Sequence, residues 1–351
     1  MSMLCKLVVL VMVIAMLVDV SQGQALVPAV IIFGDSVMDV GNNNHLLTLV
    51  KANFPPYGRD YTHHNPTGRF CNGKLASDFT VENLGFDSYP PAYLSKEAIG
   101  SHLLNGTNFA SAASGYLDST SKLYSAISLS QQLKYYKEYQ EKVTKMVGKK
   151  NASDIFTGAL YLLSEGSSDY IQNYYINPLL YKLFTPDQFA DLLLHSFTSF
   201  IQDLYKLGAR RIGVTSLPPL GCLPAAVTLF GEGANQCVKR LNNDAILFNK
   251  KINNTAKSLT KKHSDLKLVI FDIYSPLLDL IKHPEQNGFF EARKACCGTG
   301  TIETSLLCNE HALGTCANAT SYVFWDSVHP TEATNKFLSD NLLSQGIDLI
   351  S

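Results

Sequence analysis

The stretch Val30-Ile31-Ile32-Phe33-Gly34-Asp35-Ser36-Val37-Met38-Asp39 decides how this chain is read. Val30 to Phe33 is an apolar, largely β-branched run, the pattern of a strand buried on both faces. Gly34-Asp35-Ser36 ends it with residues suited to a sharp turn. A serine at the C-terminal lip of a buried strand lies where open α/β sheets bind ligands, although Ser and Asp there also serve as helix caps. The far end of the chain separates the two readings, because Trp325-Asp326-Ser327-Val328-His329-Pro330 supplies an acid and a base. A serine hydroxyl needs an adjacent base to attack at neutral pH. Histidine, with an unperturbed pKa of about 6.5, suits that task. Ser36, Asp326 and His329 are the parts of a nucleophilic hydrolase.

Outward from this stretch, strand and helix alternate. Lys74 to Leu84 reads as a short helix stopped by Gly85, Asn108 to Ser111 as a short strand, and Ile127 to Val147 as a largely solvated helix. Strands are expected at Ala159–Leu163, Arg211–Ser216, Leu266–Phe271 and Tyr322–Trp325. Thr185-Pro186 is a capped helix start, followed by Phe189, Leu193, Phe197, Phe200 and Leu204 at helical steps up to Gly208. Leu241, Ala245, Phe248, Ile252, Ala256 and Leu259 form a second stripe, and Thr331 to Leu343 a closing helix. The rhythm predicts a mainly parallel sheet covered on both faces, in one domain.

The 351 residues are 46% hydrophobic with a formal net charge of -1, which gives no electrostatic reason to bind nucleic acid or an anionic membrane. Lys6 precedes the apolar run Leu7–Val18, and Ser21 and Gly23 are small residues before a cleavage point. That run is too short to span a bilayer comfortably and reads as a secretory signal over residues 1–23, leaving a soluble, secreted chain over 24–351 without a membrane segment. Sequons begin at Asn105, Asn151, Asn253 and Asn318. Beyond Cys5, seven cysteines remain: Cys71, Cys222, Cys237, Cys296, Cys297, Cys308 and Cys316. In an oxidising compartment most should pair, and the odd number leaves at least one thiol, for which isolated Cys71 is the candidate. Cys296 to Cys316 with His311 lacks the short spacing of zinc sites, so no metal or cofactor is expected.

Several blocks together are similar to the plant GDSL esterase/lipase family of the SGNH hydrolase superfamily. Phe33-Gly-Asp-Ser-Val-Met-Asp-Val-Gly-Asn-Asn-Asn44 resembles its first signature block. Pro66–Lys74, Asn108–Gly115, Gly208–Gly213, Leu217–Cys222, Ala295–Gly300 and Trp325–Pro330 resemble further blocks, over about residues 29–345. The resemblance implies a three-layer α/β/α, flavodoxin-like fold. It also implies Ser36 as nucleophile, His329 as general base and then acid, and Asp326 as its orienting residue. An oxyanion hole of the Ser36 and Gly115 N–H groups is implied as well. The family pattern Gly-x-Asn-Asp reads Gly166-Ser167-Ser168-Asp169 here, so Ser168 stands where a third donor is expected. Its shorter side chain predicts a slower enzyme, since losing one such donor costs about 10²–10³ in kcat elsewhere. Val37 in place of the name-giving Leu reads as a packing residue.

Two features are set aside. Gly68–Leu75 nearly matches a phosphate-binding loop, but Leu75 stands where Ser or Thr must bind magnesium. Tyr170, Tyr174 and Tyr175 read as half-buried packing in preference to an acyl or sugar groove. The expected protein is an extracellular (cell wall or apoplast) ester hydrolase acting on a small acyl ester, a lipid or an acylated wall polymer. An acyltransferase using hydroxyl acceptors, or a catalytically weak ester- or glycan-binding glycoprotein, are the alternatives.

Overall fold

The apolar run that opens the reading forms β1 (Val30–Gly34), every residue of it buried. It belongs to a five-stranded, all-parallel sheet with β2 (Gly106–Asn108), β3 (Leu160–Ser164), β4 (Arg211–Thr215) and β5 (Lys267–Phe271), in the order β2-β1-β3-β4-β5. This computed structural model describes residues 25–351; the expected signal segment 1–23 and Cys5 lie outside the described residues. The expected α/β/α architecture with a mainly parallel sheet is what the described residues form.

Period-two alternation sends Ile31, Phe33, Tyr161, Leu163, Ile212 and Val214 to one face of the sheet. There they meet α2 (Leu129–Gly158), α3 (Pro186–Lys206) and α4 (Lys239–Lys262). The helical stripes read from sequence are the buried faces of α3 and α4. Thr185 caps α3, accepting the Gln188 N–H while Gln188 Oε1 accepts the Thr185 N–H. Gly148 leaves helical geometry inside α2, at the point where the solvated helix was expected to stop. Val30, Ile32, Leu160 and Leu162 point the other way, towards α1 (Ala76–Asn83), α5 (Glu332–Gln345) and α6 (Ile347–Ile350).

Two strand expectations need correction. The regular part of β2 ends at Asn108, although the Phe109 and Ser111 N–H groups still donate to Ile32 and Gly34 carbonyls, so 108–111 continues the pairing. The expected strand Tyr322–Trp325 is β7 (Tyr322–Phe324), and it pairs with β6 (Glu291–Ala295) in a separate two-stranded sheet. Glu291, Arg293 and Lys294 hide β6 from a hydrophobicity reading. Cys222–Cys237, Cys296–Cys316 and Cys297–Cys308 are disulfides, and Cys71 is an unpaired, buried thiol.

Candidate active site

The turn after β1 is built to present Ser36. Gly34 has φ +142°, and a Cβ there would lie 3.1 Å from the Ser164 backbone nitrogen, so only glycine lets β1 and β3 approach at this point. The Asp35 N–H donates to the Ser164 carbonyl, and the Met38 and Asp39 N–H groups return to the Asp35 carbonyl, winding one helical turn around Ser36. Asp39 accepts from the N–H groups of Gly41, Asn42 and Ala112 at 2.7–3.0 Å. Asn42 Nδ2 donates to the Asn108 and Ala110 carbonyls, and Asn108 Nδ2 to the Met38 carbonyl. The asparagine-rich block is thus a polar frame that locks the Ser36 turn to the Asn108–Gly115 segment.

At the other end of the chain, the Trp325 N–H donates to the His329 carbonyl and closes the Asp326–His329 turn. Inside it, Asp326 Oδ1 accepts the Val328 and His329 N–H groups at 2.9 and 2.8 Å. His329 Nδ1 lies 2.8 Å from both Asp326 oxygens, and Nε2 lies 2.7 Å from Ser36 Oγ. With Nδ1–H donating to the carboxylate, Nε2 is the acceptor for the Ser36 hydroxyl. Asp326, His329 and Ser36 retain only 0%, 4% and 7% of their exposure.

Sequence reading missed what holds Asp326. Tyr57 Oη donates to Asp326 Oδ2 at 2.7 Å and is itself held by the Ser305 N–H; Thr304 Oγ1 adds a second bond at 3.0 Å. Burial pushes the Asp326 carboxyl up, but the His329 ring, Tyr57 and the backbone donors outweigh it and hold it below its ordinary value. The two disulfides of the 296–316 segment close the loop that carries Thr304 and Ser305. Phe70 packs its ring 5.1 Å from the His329 ring. The near-match to a phosphate loop is therefore a support for His329, with Arg69 in a buried ion pair to Asp78. No signal in the sequence links Tyr57 to Asp326, 269 residues away.

Gly115 follows a turn tied to β1 by Gln132 of α2. Gln132 Nε2 donates to the Gly34 carbonyl and to Ser114 Oγ, and Oε1 accepts the Gly34 N–H, all at 2.9–3.0 Å. The N–H groups of Ser36 and Gly115 donate to no protein acceptor among the described residues, so both are free to meet a developing oxyanion. Asp169 accepts from the Tyr116 and Leu117 N–H groups and the Thr120 hydroxyl, clamping the residues after Gly115. Ser168 is buried and borders the same cleft as Ser36. Burial pushes Asp35 and Asp169 up to about 7 and Asp39 to about 6. Glu165 is driven well above its ordinary value by the same cause.

The cleft of about 140 Å³ beside Ser36 is lined by Ile171 and Gln172 and not by the tyrosine cluster. Tyr170 and Tyr174 are fully buried rather than half-buried, Tyr170 meeting Phe189 edge to face and Tyr174 stacking on it, while partly buried Tyr175 donates to Asp244. All four sequon asparagines are exposed. Among the described residues, no group of three or more His, Cys, Asp or Glu could hold a metal ion, and no helix is long and apolar enough to cross a membrane.

The family profile described as GDSL-like Lipase/Acylhydrolase matches residues 30–342. A GDSL esterase/lipase of Arabidopsis thaliana is 65% identical over 333 residues, 95% of this chain and 94% of the relative. A second from the same plant is 64% identical over 334 residues, 95% and 94% of the two lengths. The Arabidopsis GDSL esterase/lipase APG is 61% identical over 326 residues, 93% of this chain and 92% of its own.

Proposed function

Since the chain belongs to the GDSL-like lipase/acylhydrolase family and is a carboxylic ester hydrolase, we propose that it is secreted and works through an acyl-Ser36 intermediate. The observation that carries the mechanism is the 2.7 Å contact of Ser36 Oγ with His329 Nε2, while His329 Nδ1 faces Asp326. His329 takes the Ser36 proton as Oγ attacks the ester carbonyl carbon. The Ser36 and Gly115 N–H groups stabilise the oxyanion, with Ser168 in the place of the family's asparagine. The tetrahedral intermediate collapses as the ester C–O bond breaks and His329 hands its proton to the leaving alcohol. A water molecule, deprotonated by His329, then attacks the acyl carbon, releases the acid and restores Ser36. Asp326 keeps the imidazole in the required tautomer and stabilises the imidazolium that forms at each step. Secretion is supported by three disulfides and by the exposure of Asn105, Asn151, Asn253 and Asn318, the proposed glycan acceptors.

The test is hydrolysis of p-nitrophenyl acetate by the protein expressed through a secretory route, beside its Ser36→Ala variant. Turnover that disappears in the variant, with one equivalent of a fluorophosphonate bound to the parent only, is the expected result. Equal rates and no labelling at Ser36 would overturn the acyl-Ser36 mechanism.

A further inference from the structure

The two faces of the sheet are packed differently. On the α2–α3–α4 face, Phe33, Tyr136, Tyr161 and Phe200 fill the space with rings. On the opposite face, Gly213 of β4 stands in register with Leu162, and the Phe271 ring packs into the space a side chain there would take. The helices above it present Ala76, Ser77 and Thr80 from α1 and Ser339 from α5. These small residues on the helices leave the cleft that begins at Ser36 and continues beneath α5 to Leu349 of α6. Its walls past the mouth are Leu160, Leu162, Phe271, Leu338 and Leu342.

We infer that this cleft is an acyl-chain channel, which makes the substrate an ester of a straight, medium-length aliphatic acid of about ten carbons. The inference rests on the esterase reading above. From Ser164 to Leu160 the channel follows β3 for four residues, about 13 Å at ~3.3 Å per residue. An extended alkyl chain advances about 1.3 Å per carbon for C–C bonds of about 1.5 Å, so roughly ten carbons fill it. The acyl part is the one that enters. Ser36, which keeps the acyl group, lines the channel, while His329, which must protonate the leaving alcohol, does not. Within that length each added methylene leaves water for an apolar wall and raises kcat/KM by about three- to four-fold.

The experiment is a p-nitrophenyl ester series from acetate to palmitate with the parent, Leu162→Phe midway along the channel, and Leu342→Trp near its far end. The expected parent profile rises from acetate to about decanoate and then levels or falls. Leu162→Phe keeps acetate turnover within about two-fold and loses at least ten-fold on decanoate, whereas Leu342→Trp loses decanoate but keeps hexanoate. A flat parent profile with Ser36-dependent acetate turnover overturns the channel and leaves the esterase standing. So does an equal loss on acetate and decanoate in both variants with melting temperatures unchanged. A readout independent of turnover is calorimetric binding of decanoate to Ser36→Ala, expected to weaken at least ten-fold when Leu162→Phe is added. Absence of decanoate binding, or affinity unchanged by Leu162→Phe, overturns the inference even if no ester in the series is hydrolysed.

Discussion

Replacing Gly115 by alanine tests the oxyanion role of that backbone N–H directly. An ideal Cβ at Gly115 would lie 2.7 Å from Asp169 Cγ and 2.8 Å from Oδ2. Ordinary contacts between non-bonded carbons lie at about 3.5–4.0 Å, so about 1 Å must be found by movement. Asp169 cannot supply it cheaply, because it is buried and holds the Tyr116 N–H at 2.7 Å and the Thr120 hydroxyl at 2.6 Å. The loop carrying Gly115 therefore shifts, and with it the N–H proposed to meet the oxyanion. A misplacement of about 1 Å at a positioned group costs about 10²-fold in rate, in the range of about 10²–10³ for deleting a donor outright. Overpacking adds a stability loss of about 1–3 kcal/mol. Steady-state kinetics on p-nitrophenyl acetate should show kcat down about 10²-fold with KM little changed, since the donor acts on charge that develops only in the transition state. Thermal melts at the assay temperature check that the variant is folded. A folded Gly115→Ala enzyme with kcat within about three-fold of the parent would refute the assignment.

Ser168→Asn restores the longer amide donor of the family pattern and should raise kcat on a simple ester; an equal or lower kcat would show that the site compensates in another way. Tyr57→Phe removes a hydrogen bond to a buried charged carboxylate, a loss of about 1.5–3 kcal/mol in denaturant unfolding. Because the Asp326 pKa is depressed in the folded state, that loss should be full above about pH 5 and shrink only as pH falls through the folded value, below the ordinary carboxylate range. A loss that grows as pH falls from 8 towards the acid transition would count against it. Asp35, Asp39 and Asp169 carry the opposite sign: burial raises them to about 7, 6 and 7, so the folded chain holds their protons more tightly than the unfolded chain. Their contribution is complete below about pH 4 and is lost as pH rises towards 7. Melting temperature should therefore be higher at pH 5 than at pH 8, with the gap narrowed in Asp35→Asn; a higher value at pH 8 would contradict this.

What the sequence determined by itself was whatever is encoded locally. Strand and helix periods placed β1, β3, β4 and β5 within a residue of their observed ends, and the stripes of α3 and α4 named their buried faces. Asp326 and His329 were legible for the same reason, since three residues of one turn bring acid and base together without help from the rest of the chain. Gly115 and Ser168 became candidates only through a recurring family pattern. Tertiary structure alone decided the rest. It brought Ser36 and His329, 293 positions apart, to 2.7 Å, and chose Tyr57 and Gln132 as the groups that steady the two turns. It also paired the cysteines, set β6 and β7 apart from the main sheet, and brought the small residues of α1 and α5 over Leu160 and Leu162 beside Ser36. The physical reason is that a hydrophobic period records which side of an element is buried, whereas the identity of the partner across the core depends on how all the elements close together.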